Sequence, residues 1–77
     1  MTKFYEVIVE VANEENLIKW CDNENRISKN IWKFYAHGNS KSTETSAIRS
    51  VKSDVRCITN NFKIVSVREL DKSEFPW

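Results

Sequence analysis

The chain has 77 residues, 40% of them apolar and 12% aromatic, with one Gly and one Pro; this describes one small globular domain and excludes a second domain, a collagen-like repeat and a disordered chain. The net charge of +1 hides an asymmetry: residues 1–24 carry two lysines against six acids, a balance of −4, and residues 25–77 carry ten cations against five acids, a balance of +5. A surface divided in this way steers toward an oppositely charged partner, unless the two halves meet in the fold and cancel.

Taken in chain order, Phe4–Ala12 alternates cleanly. Tyr5, Val7, Val9 and Val11 fall on one side and Phe4, Glu6, Ile8 and Glu10 on the other, which predicts a strand whose second face is open to water in an antiparallel sheet covered on one side only. Residues 13–30 support two readings. Asn13 caps a short helix with Glu14 and Glu15 in its first turn and Leu17, Ile18, Trp20 and Cys21 as its apolar side, or Leu17–Cys21 is a short strand that turns at Asp22–Asn25. The strand is preferred, because Ile18, Trp20 and Cys21 suit sheets and an isolated two-turn helix is weak. Asp22–Asn30 then reads as a polar loop or hairpin end with Ile27 as an anchor.

Ile31–His37 predicts a second strand, with Trp32, Phe34 and Ala36 on one face and Ile31, Lys33, Tyr35 and His37 on the other. After a break at Gly38–Lys41, Ser42 or Thr43 caps an amphipathic helix that runs to about Ile58. Ala47, Ile48, Val51, Val55 and Ile58 form its apolar stripe, and Arg49, Lys52 and Arg56 an adjoining basic flank. Asn60-Asn61 supplies a turn into Phe62–Leu70, where Val65 and Val67 lie on one face and Phe62, Ile64 and Leu70 on the other, so this strand is predicted to be central. Residues 70–77 are a short tail. Its end, Phe75-Pro76-Trp77, reads equally as a cover for the open sheet face or as a patch for a partner. The fold class is α+β: an antiparallel sheet of about three to five strands with one amphipathic helix packed on one face, Val51, Val55 and Ile58 against Trp32 and Phe34.

Cys21 and Cys57 are far apart and outside any Cys-x-x-Cys arrangement, which reads as two reduced thiols in a cytosolic protein, with a single bridge as the lesser alternative. No apolar run long enough for a signal peptide precedes Lys3 and Glu6, and no stretch approaches the ~20 residues of a membrane span. The chain is expected in the cytoplasm, away from membranes, as a monomer or homodimer. His37 is the sole histidine and no motif brings a cysteine to it. Paired metal-ligand spacing and a Gly-rich phosphate loop are both missing from the sequence, so neither a cofactor nor enzyme activity is expected.

The basic residues are more informative. From Arg26 to Arg68 nine cations stand against Glu44 and Asp54, a local balance of +7. The helix flank, lined up with Lys41, would contact about three or four phosphates, and Tyr35 and Trp20 would add stacking surfaces. The plainer alternative is a solvated helix face. The candidate binding residues are Lys33, Tyr35, Lys41, Arg49, Lys52, Arg56, Lys63 and Arg68. Phe4, Trp20, Tyr35, Phe75 and Trp77 are many aromatics for so small a chain, and those outside the core would suit a protein partner.

The stretch Glu44–Leu70, with Ala47-Ile48-Arg49-x-Val51-Lys52 in the helix and Phe62-Lys63-Ile64-Val65-Ser66-Val67-Arg68-Glu69-Leu70 in the strand, resembles small phage-encoded anti-CRISPR proteins built from a curled antiparallel sheet and one helix. The resemblance covers about a third of the chain and transfers no functional residue. It implies a non-enzymatic, stoichiometric inhibitor that occupies a bacterial defence complex, such as a CRISPR-Cas effector, in the host cytoplasm. The expected partner is then a host defence protein or ribonucleoprotein, reached through the basic and aromatic surface. The alternative is a small nucleic-acid-binding protein that uses the same helix flank.

Overall fold

The computed structural model describes residues 3–38, 43–71 and 73. They form strands β1 (Lys3–Val11), β2 (Arg26–Ser28), β3 (Ile31–Gly38) and β4 (Phe62–Leu70), with helix α1 (Glu15–Trp20) after β1 and helix α2 (Thr43–Arg56) between β3 and β4. The strands make one sheet in the order β2-β3-β1-β4, every pairing antiparallel. The α+β class read from the sequence holds, with α2 laid over β3 and, to a lesser extent, over β1 and β4.

The alternation of β1 is the axis of the core. Tyr5, Val7, Val9 and Val11 are buried beneath the helices, as are Trp32 and Ala36 from β3 and Ala47, Val51 and Val55 from α2. Phe34, Ile58, Phe62, Ile64 and Val67 pack around them with partial exposure. Among the described residues no helix is long and apolar enough to cross a membrane.

Three expectations are corrected. The first concerns β4, which is an edge strand and not a central one; β1 and β3 take the centre. The register passes from Ile8↔Ser66 to Val9↔Ile64, so Val65 is an extra residue in a β-bulge and is 52% exposed. A bulge inserts one residue and inverts the alternation beyond it. Phe62, Ile64 and Val67 therefore all reach the core, while Leu70 pairs with Phe4 on the opposite side of the sheet. Apolar residues on both faces of the simple alternation had suggested burial on both sides; the bulge is what produced that pattern.

The second is Leu17–Cys21, which belongs to helix α1 and its end, not to a strand. A strand here could not pair with β1, which directly precedes it, because both edges of β1 are taken by β3 and β4. The Asn13 side-chain oxygen accepts the Glu15 N–H at 2.9 Å, the Asn16 amide donates to the Ile58 carbonyl at 3.3 Å, and Leu17 is fully buried. One inserted side chain is enough to dock so short a helix. We expect Leu17→Ala to cost about 2–5 kcal/mol in a urea melt; a loss below about 0.5 kcal/mol, the level of an ordinary surface change, would mean that α1 is peripheral.

The third is Ile27, which is 53% exposed on β2 and anchors nothing. Helix α2 ends at Arg56, and the chain continues as a turn in which Ile58 and Thr59 both donate to the Val55 carbonyl. Ser42 and the side chain of Thr43, the expected cap, lie outside the described residues, as do Lys41 and the Phe75-Pro76-Trp77 tail.

Candidate functional site

The sheet face turned away from α2 is written by the strand registers. Across it run four rows: Ile31, Glu10 and Lys63; Lys33, Ile8 and Ser66; Tyr35, Glu6 and Arg68; and His37, Phe4 and Leu70. Of the candidate binding residues, Lys33, Tyr35, Lys63 and Arg68 lie here. Opposite charges directly across an antiparallel pair attract, and the cations of β4 are engaged: the Lys63 ammonium is 3.1 Å from Glu10 and the Arg68 guanidinium 3.6 Å from Glu6. The Lys33 ammonium lies 5.6 Å from the centroid of the Tyr35 ring. This face is where the acidic N-terminal half of the sequence meets the basic C-terminal half.

Arg49, Lys52 and Arg56 are on the other side of the molecule. At 100° per residue Arg49 and Arg56 fall roughly opposite the buried Ala47, Val51 and Val55 and Lys52 on the flank beside them, and all three side chains are exposed. With Ser53 and Cys57 they line a shallow depression. Among the described residues none of the three takes part in an ion pair. The span from Arg49 to Arg56 is about 10 Å along the helix axis.

The candidate set is thus split by the sheet, and no single flat contact reaches both groups. The aromatic partners divide too. Tyr35 stays on the open sheet face, while Trp20, 72% exposed, projects from α1 with the Lys19 ammonium 5.9 Å from its ring centroid. Helix α1 meets the C-terminal end of α2 through Asn16 and Ile58, so Trp20 belongs to the helical layer.

The strongest polar cluster in the protein is one the sequence reading missed. Glu14 is 8% exposed and its carboxylate receives four N–H groups: Arg26 Nε at 2.8 Å, an Arg26 terminal nitrogen at 2.9 Å, the Asn30 backbone at 3.1 Å and the Trp32 indole at 3.2 Å. The bidentate Arg26 contact above all, then the Asn30 and Trp32 bonds, hold the carboxyl at about 2 against burial, which pushes it up. The same contact raises the Arg26 guanidinium. Asn30 donates from a left-handed backbone conformation, φ 65°, at the tight turn between β2 and β3. The available signal was Trp32: an indole N–H on the buried face of a strand needs an acceptor.

No family model, curated protein or solved structure matches this chain. One Glu14 oxygen accepts three of the four N–H groups and the other accepts one, all from within the fold, which suits a structural clamp. His37 pairs with Phe4 near the start of β1, while Cys21 packs against the core and lines a groove with Phe34 and Tyr35. Burial pushes the Cys21 thiol up, away from the thiolate a nucleophile requires. Both cysteines are free thiols. Among the described residues no three His, Cys, Asp or Glu side chains gather as metal ligands.

Proposed function

We propose that this is a non-enzymatic binding protein that lays the outer face of α2 on nucleic-acid phosphates, and that its partner is the ribonucleoprotein of a bacterial defence system, which it inhibits by occupancy. The carrying observation is the separation of the cations. Lys63 and Arg68 are tied to carboxylates across the strands, whereas Arg49, Lys52 and Arg56 share one exposed helix face with no ion pair among the described residues. A row of uncompensated cations at helical spacing tracks a phosphate backbone and gains from release of its counterions. Such a face is repelled by the cationic groove in which a ribonucleoprotein holds its nucleic acid, so the contact goes to the nucleic acid itself. Inhibition of a defence complex is what the resemblance of Glu44–Leu70 to anti-CRISPR proteins adds. Trp20, on the same helical layer, supplies the aromatic part of the surface.

The alternative, binding to free nucleic acid, uses the same face. Tagged full-length protein incubated with bacterial lysate separates the two. Recovery of a ribonucleoprotein with both its protein and RNA components, reduced by nuclease, is the expected result. Recovery of naked nucleic acid alone replaces the defence partner with the alternative. Recovery of a protein complex that is indifferent to nuclease removes phosphate contact from the proposal.

A further inference from the structure

Strand β1 leaves the sheet between two turns. The Val11 N–H donates to the Asn30 carbonyl at 2.9 Å on the β3 side, and the Ala12 N–H donates to the Asn61 carbonyl at 3.0 Å on the β4 side. Asn30 belongs to the turn that joins β2 to β3, and Asn61 to the turn that enters β4. With β1 between them, the two asparagines stand two strand spacings apart, roughly 10 Å.

Both line a notch of about 480 Å³, within the size range of small-ligand sites. Phe62, half-buried, adds apolar surface to it, and Lys29, Lys63 and Glu10 bring its charges. The Lys63 ammonium is 3.1 Å from Glu10, so that pair is internally balanced. Lys29 is exposed and, among the described residues, its ammonium has no ion-pair partner. The side-chain amides of Asn30 and Asn61 likewise have no hydrogen-bond partner among the described residues. Each amide offers a donor beside an acceptor. The notch thus combines one surplus cation, one carboxylate, two paired donor-acceptor groups and part of an aromatic ring.

We infer that the notch binds a ribonucleotide. Its base lies against Phe62 with a polar edge on the asparagine amides, its ribose hydroxyls donate to Glu10, and its phosphate meets Lys29. A side-chain amide pairs in bidentate fashion with adenine, an aromatic face holds a base by stacking, and a carboxylate accepts from a ribose hydroxyl. Glu10 repels a bare anion, so the site selects a phosphate that arrives with hydroxyl donors attached. The notch lies past the end of β1 and shares no lining residue with the depression on α2, so it stands or falls independently of phosphate contact by that helix.

The test uses the full-length protein, isotopically labelled for NMR, titrated with adenosine 5′-monophosphate. We expect saturable shifts of the Asn30 and Asn61 side-chain amides and of the backbone amides of Lys29 and Phe62. Adenosine without its phosphate should bind about tenfold more weakly, and Lys29→Glu should weaken the monophosphate by a similar factor. Asn61→Ala and the 2′-deoxy monophosphate should each weaken binding about fivefold, with the circular dichroism of the variants unchanged. The proposal is overturned by absence of saturable shifts in the notch, by shifts confined to α2, or by equal affinity for inorganic phosphate and the monophosphate. If a variant does not fold, the comparison of monophosphate, adenosine and phosphate on the unaltered protein decides alone. A 5′-phosphorylated pentaadenylate that binds the notch more than about tenfold tighter than the monophosphate assigns the nucleotide to the end of an RNA strand; equal affinity assigns it to the free nucleotide.

Discussion

Glu14→Ala should lower the thermal midpoint by roughly 10 °C or more, a larger effect than any other single change to a charged side chain in this protein. Removing the carboxylate leaves the Trp32 indole, the Asn30 N–H and the Arg26 guanidinium without their acceptor, and orphaned buried donors carry their full desolvation penalty. Acid should act in the same way. The carboxyl titrates at about 2 in the fold against an ordinary value of 4.5, so the folded-state value is depressed. Its contribution to stability is complete above pH 4.5 and is lost as the pH falls from there toward 2. Glu14→Gln keeps the shape and one acceptor oxygen but cannot titrate, so its melting temperature should fall less over that window. Circular dichroism melts of both proteins from pH 7 to pH 2 make the comparison, in which the other carboxylates are common to both. Parallel loss of stability in the two proteins would show that Glu14 is not the group responsible.

The second large effect is on binding. Replacing Arg49, Lys52 and Arg56 together by Glu should weaken the protein's grip on a fluorescein-labelled single-stranded RNA by more than about a hundredfold near physiological salt, since it removes three attractive contacts and adds three repulsive ones. For the unaltered protein, three phosphate contacts predict that affinity falls by roughly two powers of ten for each tenfold rise in salt. The fold should survive, because all three side chains are exposed and lie off the apolar stripe. Fluorescence anisotropy over a salt series gives both numbers. Undiminished binding by the triple variant would exclude the α2 face as the contact. Lys63→Glu with Arg68→Glu provides the counterpart on the open sheet face, where the cations are already engaged with Glu10 and Glu6; it should alter RNA affinity far less.

Strands β1 and β3 and helix α2 were legible in the sequence because each carries its period within itself: Tyr5, Val7, Val9 and Val11 alternate, and Ala47, Val51 and Val55 recur at helical spacing. Helix α1 was not legible. With one buried residue, Leu17, it has no period to read, and it is held by partners far along the chain, Ile58 for Asn16 and the Arg26, Asn30 and Trp32 group for the preceding Glu14. Glu14 itself looked like a first-turn acid favourable to the helix dipole. The same limit applied to the candidate site. A list of cations does not say that Lys63 will face Glu10 or that Arg68 will face Glu6; those pairings are properties of register. Only after they are made does the helix flank stand out as the basic surface without ion-pair partners among the described residues.

The bulge at Val65 has a further consequence for life in a crowded cell. Paired antiparallel with its own copy about Ser66, a regular Phe62–Leu70 strand would set Lys63 against Glu69, Val65 against Val67 and Phe62 against Leu70, a self-complementary match along an exposed edge. The bulge dismantles that match. Lys63 shares the open face with Glu10, while Glu69 shares the core side with Tyr5, so the two charges that would lock the pair project to opposite sides of the sheet. Closing the bulge by deleting Val65 would therefore restore a sticky edge as well as disturb the core, and the single surplus valine acts as the protein's guard against pairing with its own copy through its last strand.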